Sequence, residues 1–248
     1  MDIGPPYHSV LGMPPPNSDS FIPLNLPVDL IPEWMGAFSL SAPPNSDLWR
    51  KTPARDTYTA PILYKRLVHP FVSAEVTVCA EWRLEWDQAG LVIFAGAPPG
   101  QQQQQQRPPA PSNGDPPPYS FHTPQSKWVK VGLEFYNETF NATSVCATPD
   151  GADWSRTTLP AYQAERADLR IKLERIGYAL WVHYEDSRDG WKKIREITWF
   201  FWGVEDKCVW VGVYASRPAN FPVTQYEREH GRCLDRHLCV EFENLEIY

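Results

Sequence analysis

What most limits the folds open to this chain is a repeated alternation of apolar and polar residues, one by one, in short segments broken by Gly, Asp, Asn or Pro. "APILYKRLV", "FVSAEVTVCAEW", "AGLVIFAG", "KWVKVGLEFYN" and "ATSVCAT" come first, and "ADLRIKLERIG", "YALWVHYEDS", "KKIREITWF", "CVWVGVYASR" and "CVEFENLEIY" follow. They are rich in Val, Ile, Trp, Tyr and Phe, which suit a pleated, half-buried surface. Hairpins are expected near Gly177 and at Asp189-Gly190, the second a strong tight-turn signal. The helix formers in "YQAERADLR" and "TQYEREHGRCLDRHL" sit between strands, and the first reads as a loop entering a strand. About ten strands with little helix predict an all-β sandwich or barrel.

Two stretches depart from this pattern. Residues 1–20 are rich in Pro, Ser and Asn and are expected to be a disordered N-terminal segment. Residues 97–125 carry a glutamine run between prolines, with little apolar surface to offset the entropy of ordering. The strands on either side read as one sheet system. The expectation is therefore a single β-sandwich domain over 21–248 with a disordered Gln/Pro-rich loop insert at 97–125.

The formal charge of −7 and the absence of long Lys/Arg runs argue against a nucleic-acid partner. No run approaches the ~18 apolar residues of a membrane span, and the N-terminus lacks the basic start and apolar stretch of a secretory signal. The five cysteines, at 79, 146, 208, 233 and 239, have no metal-like spacing and read as free thiols in a reducing compartment. The expected location is the cytoplasm, with nuclear entry left open. The six histidines form no cluster at metal-ligand spacing, and no nucleophile elbow, phosphate loop or dinucleotide fingerprint is present. Neither a cofactor nor a metal is expected.

Strand parity points to a surface. In "WVKVGLEFY", Val129, Val131, Leu133 and Phe135 form the core side, leaving Trp128, Lys130, Gly132, Glu134 and Tyr136 in a row on the other. Trp181 and His183 share a face opposite Leu180, Val182 and Tyr184, and Trp210, Gly212 and Tyr214 lie opposite Val209, Val211 and Val213. If these strands neighbour one another, they floor a concave groove of indoles and phenols, suited to the apolar faces and hydroxyls of a sugar. Glu134 is the carboxylate nearest that floor, and Asp87, beside Gln88 at a strand-to-turn junction, is a conceivable partner for hydrolysis.

Several pieces in order then resemble a known family. They are "SDLW" (46–49), "FVSAEVTVCAEWRLEWDQAGLVIFAG" (71–96), "WVKVGLEF" (128–135), "ATPDGADWS" (147–155) and "VGVYASRP" (211–218). Together they resemble the DUF1349 family, similar to the fungal regulation of enolase protein, over about residues 31–248. The resemblance implies a concanavalin A-like lectin/glucanase fold, a two-sheet antiparallel jelly-roll β-sandwich. It also implies recurrent polar positions at Asp87, Gln88, Lys130, Glu134, Asp153, Trp154 and Ser155. The Glu-x-Asp-x-Glu strand of the glucanases is absent. The expected function is a non-catalytic binding module for a carbohydrate or related metabolite. The alternatives are a glycoside hydrolase-like enzyme using Glu134 with Asp87, and a protein-interaction regulator of a metabolic enzyme such as enolase.

Overall fold

In a computed structural model that describes residues 20–51, 55–99, 126–164, 166–204, 206–222 and 236–248, the long alternating segments are strands. The stretch 1–19, residues 100–125 of the 97–125 insert, and residues 223–235 with Cys233 lie outside the described residues. In chain order the strands are β1 (Ile22–Leu24), β2 (Ala37–Ala42), β3 (Leu48–Lys51), β4 (Arg55–Tyr58), β5 (Ile62–Arg66), β6 (Ser73–Ala80), β7 (Gln88–Ala95) and β8 (Lys127–Tyr136). Then come β9 (Thr139–Thr148), β10 (Gly151–Thr158), β11 (Asp168–Ile176), β12 (Ala179–Asp186), β13 (Gly190–Ile197), β14 (Val209–Ser216) and β15 (Leu238–Ile247). Among the described residues the α-helix is one turn, α1 (Ala161–Ala164), which leads into β11.

Two antiparallel sheets result. One is seven-stranded in the order β1-β5-β14-β7-β8-β9-β10, and the other six-stranded in the order β13-β12-β11-β6-β15-β2. Strands β6 and β7, consecutive in sequence, fall in different sheets, while β14 is inserted between β5 and β7. This is the two-sheet antiparallel jelly-roll sandwich. The hairpins turn where Gly177 and Gly190 adopt φ of 60° and 73°, a left-handed conformation that glycine adopts without a Cβ clash. Parity decides the core. Val76, Val78, Ile171, Leu173 and Val240 meet Leu91, Ile93, Val131, Leu133, Val211 and Val213 in one buried cluster between the sheets.

The outer face of the seven-stranded sheet is also covered. Strands β3 and β4 pair as a separate two-stranded ribbon, Leu48 opposite Tyr58. A second apolar cluster lies on this face, with Leu48 packed among Ile62, Tyr64, Val92, Phe94, Trp128, Val145 and Tyr214. Every residue of β7 is consequently buried, as expected for a strand covered on both faces. The ribbon is pinned by Arg50, which is 1% exposed. Its Nε and Nη2 each donate to Asp56 at 2.7 Å, while Nη1 donates to the carbonyls of Ser126 at 3.0 Å and Thr148 at 2.9 Å. The Tyr64 hydroxyl similarly donates to the Pro99 carbonyl at 3.2 Å.

Truncating Arg50 leaves a buried carboxylate and two carbonyls unpaired. Arg50→Ala should therefore lower the unfolding free energy by about 3–5 kcal/mol in urea titration, with a red shift of tryptophan emission as water reaches Trp128. A loss below about 1 kcal/mol would show that the ribbon holds without it.

Candidate functional site

Between the β3–β4 ribbon and strands β8–β10, a cavity of about 400 Å³ opens on the outer face of the seven-stranded sheet. Its size falls within the range of small-ligand sites. The ribbon contributes Asp47, Trp49 and Lys51 to its lining, the entry to β7 contributes Trp86 and Gln88, β8 gives Glu134, β9 Val145, β10 Trp154, and the chain after β14 gives Pro218. Burial alternates along 47–51, with Leu48 and Arg50 buried and Asp47, Trp49 and Lys51 not. One strand face therefore anchors the ribbon and the other lines the cavity.

Glu134 lies opposite Gln88 on one side and Asn141 on the other. It is 1% exposed, and its Oε1 has no hydrogen-bond partner. Burial raises its carboxyl from 4.5 to about 7, with Lys130, Thr143, Trp154 and Arg156 offsetting part of the rise. The aromatic wall continues from Trp86 to Tyr136 at 6.2 Å and from Tyr136 to Trp154 at 5.7 Å between ring centroids. The Arg156 guanidinium sits 3.8 Å above the Tyr136 ring, and the Trp154 indole N–H donates to Thr143 Oγ1 at 3.0 Å. A second carboxylate, Asp47, accepts from Lys130 Nζ at 2.9 Å, the Leu48 amide at 2.7 Å and Ser216 Oγ at 3.3 Å.

Of the residues singled out in the sequence, Gln88, Glu134 and Trp154 line this cavity, and Tyr136 backs its aromatic wall. The others lie elsewhere. Trp128 is on the expected face but fully buried under the ribbon, so its indole packs the second apolar cluster and presents nothing to a ligand. Tyr214 is likewise buried, its hydroxyl donating to Gln88 Oε1 at 3.3 Å, and Trp210 stands edge-on to Tyr64 at 5.7 Å. Lys130, 1% exposed, is committed to Asp47. Trp181 and His183 are on β12 in the opposite sheet, where Trp181 carries Lys193 at 4.0 Å and His183 Nε2 comes within 3.4 Å of Glu174. The expected single floor is therefore split between the two outer faces of the sandwich.

Asp87 is the largest correction. It is fully buried and its carboxylate is engaged on both oxygens. Arg217 Nε donates to Oδ1 at 2.8 Å and Nη2 to Oδ2 at 2.6 Å, and Oδ2 also accepts the Arg83 and Leu84 amides at 3.0 Å each. A carboxylate so occupied has no role in activating water. Asp153 is exposed, pairs with Arg195 at 2.5 Å, and borders a different, polar cavity of about 390 Å³. Ser155 is exposed on β10 and touches the site only through its carbonyl, which accepts from Thr143 at 3.3 Å. Asp47, Trp49, Lys51, Trp86, Val145 and Pro218 were not anticipated. The i, i+2 spacing in "SDLWRK" could have given the first three.

The profile of the family described as "Protein of unknown function (DUF1349)" matches residues 25–247. The chain belongs to this family. The DUF1349 chain is 32% identical over 184 residues to an uncharacterized protein of Emericella nidulans, covering 74% of this chain and 78% of that one. Its fold is shared by a functionally unknown protein from Saccharomyces cerevisiae, with a TM-score of 0.62, 17% identity, and coverage of 94% of this chain and 98% of that one. A Bacillus licheniformis GH43 protein is matched at a TM-score of 0.48 and 15% identity, over 86% of this chain and 33% of that one, which is too distant to carry an argument. Among the described residues no cluster of three or more His, Cys, Asp or Glu side chains could hold a metal ion, and no helix is long and apolar enough to cross a membrane.

The Glu134 shift has a consequence for stability in this DUF1349 protein. Its folded-state carboxyl titrates above its ordinary value, so the folded protein binds that proton more tightly than the unfolded chain does. The contribution is full below pH 4.5 and is lost as pH rises to about 7. The loss amounts to about 3 kcal/mol. Urea unfolding of wild type and Glu134→Gln across this window should give a stability difference that turns steadily toward the variant and levels off above about pH 7. A difference independent of pH would contradict the buried, unpaired carboxyl.

Proposed function

We propose that the Trp49–Trp86–Trp154 cavity binds a neutral saccharide or a similar polyhydroxylated metabolite without transforming it. The observation that carries this reading is the unpartnered, buried oxygen of Glu134 among exposed indoles. A buried polar group without a partner costs about 1–3 kcal/mol, and a ligand hydroxyl placed there removes that cost. Titrating near 7, the carboxyl can either donate to a hydroxyl or accept from one at neutral pH. Trp86 and Trp154 are 45% and 38% exposed, and such indoles offer flat surfaces to the C–H faces of a sugar ring. The free thiols of Cys79, Cys146, Cys208 and Cys239 support a reducing, cytoplasmic setting for the protein.

A second reading is favoured by one further observation: Asp47 lines the same cavity as Glu134. In that reading Glu134 is the general acid of a glycoside hydrolysis and Asp47, rather than Asp87, the second carboxylate. It requires turnover, a bell-shaped pH–rate profile, and near-complete loss in Glu134→Gln.

Tryptophan fluorescence and calorimetry with cellotriose, laminaritriose and xylotriose separate the readings. Binding should be saturable with the sugar recovered intact, and Glu134→Ala or Trp154→Ala should weaken it about tenfold or more. Recovery of shorter sugars would favour hydrolysis. A flat titration, or unchanged affinity in both variants, would remove the cavity as a saccharide site.

A further inference from the structure

We infer that Trp86 is the ligand-gripping aromatic residue of this cavity, held in a left-handed backbone conformation for that purpose by the buried Asp87–Arg217 pair. The inference rests on the reading of the cavity as a ligand site, and deepens it by naming the residue that sets its grip and the residues that position it.

Trp86 has φ of 67°. A Cβ in that region meets the following carbonyl, costing roughly 1–2 kcal/mol, and for a bulky residue the conformation is an outlier. Among the described residues, the other non-glycine positions with positive φ are Asn25, Asn45, Asn137, Asn244 and Glu138. The fold thus mostly meets this need with asparagine, which tolerates it best. A turn that only had to reverse the chain at 86 would do so at lower cost with Asn or Gly. Burial does not explain the tryptophan either, because Trp86 is among the exposed large hydrophobic residues at 45%. Among the described residues its ring packs against that of Tyr136, with centroids 6.2 Å apart.

The strained residue is held from several directions, as such residues must be to persist. Its amide donates to the Phe135 carbonyl at 2.8 Å, and its carbonyl accepts from Gln88 Nε2 at 3.3 Å. The next residue supplies the clamp: the Asp87 amide donates to the Leu84 carbonyl at 3.0 Å, and the Asp87 carboxylate closes the same turn by accepting from Arg83 and Leu84. Arg217 fixes that carboxylate with a two-pronged ion pair, with side chains 3% and 0% exposed. The Arg217 main chain also meets the approach to the β3–β4 ribbon, since its amide donates to Ser46 Oγ at 3.1 Å and its carbonyl accepts from the Ser46 amide at 3.1 Å. Asp87 and Arg217 are positioning residues; neither lines the cavity.

Three variants at position 86 and a double-mutant cycle test this. Trp86→Gly and Trp86→Ala remove the same indole but differ in tolerance of positive φ, so the glycine variant should melt above the alanine variant by about 2–4 °C. The glycine variant should melt no more than about 2 °C below wild type, yet lose about tenfold or more in affinity for the trisaccharides. Trp86→Phe should keep most of that affinity. Equal melting of Gly and Ala, or a glycine variant melting far below wild type, would make Trp86 a packing residue and overturn the inference. So would undiminished affinity in Trp86→Gly.

If wild type binds none of the trisaccharides, the saccharide reading of the cavity fails on its own, and the melting comparison still decides whether Trp86 is strained and dispensable to the fold. The positioning role is read from coupling: the melting loss caused by Asp87→Asn should be smaller in a Trp86→Gly background, where the turn no longer needs bracing. If Asp87→Asn does not fold, Arg217→Lys serves in its place, because lysine keeps the charge and loses the fork. Additive losses would overturn the positioning role.

Discussion

The ion pair between Asp87 and Arg217 joins residues far apart in sequence and is almost wholly removed from water. Desolvating two charges costs several kcal/mol per ion, and the cost is recovered only when geometry is good and remaining lone pairs are filled. Both conditions are met, because the guanidinium forks onto both carboxylate oxygens while two backbone amides fill the rest. The rest of the site depends on this arrangement. Through Asp87 it braces the turn before β7, and the Arg217 main chain meets Ser46 on the approach to the β3–β4 ribbon. Two sides of the cavity thus meet at one residue, Arg217, that does not line it.

Glu134 is the opposite case. It too is buried, but one oxygen has been left without a partner, and the carboxyl responds by holding its proton to about pH 7. A fold selected for stability alone gains from glutamine or a hydrophobe at such a position. Its surroundings are nonetheless built up: Lys130 is diverted to Asp47, Tyr214 to Gln88, and Trp154 to Thr143. Lys130, Thr143, Trp154 and Arg156 still favour the charged form, but they do not fully offset the burial, and Oε1 stays without a partner.

Much of the fold was legible because alternation is a local property. Val129, Val131 and Leu133 announce their side of β8, and Gly177 and Gly190 announce two hairpins. The same rule placed Trp128, Lys130 and Glu134 together on the other side, and they are indeed together. What parity does not carry is the identity of the sheet, or of whatever lies on top. Trp181 satisfies the alternation as well as Trp128 does, yet β12 belongs to the other layer. Trp128 and Glu134 share one strand face, yet the ribbon seals the first and leaves the second beside an opening. Trp86 was hidden for a different reason: its importance lies in a backbone angle, and neighbouring residue types do not specify that angle.

The anchoring of the ribbon bears on the glutamine run. Arg50 holds the carbonyl of Ser126, and Tyr64 holds the carbonyl of Pro99, so both margins of the insert are tied to the covered face of the sheet. Neither tie passes through the intervening residues. The spacing between the margins is dictated by β7 and β8, which pair from Gln88–Glu134 to Ala95–Lys127 without reference to what joins them. A repeat tract there can gain or lose glutamines over generations while the register of Glu134, and the turn that carries Trp86, stays where it is. The two margins of the glutamine run are held by the sheet and the ribbon alone, at a spacing that the β7–β8 pairing sets.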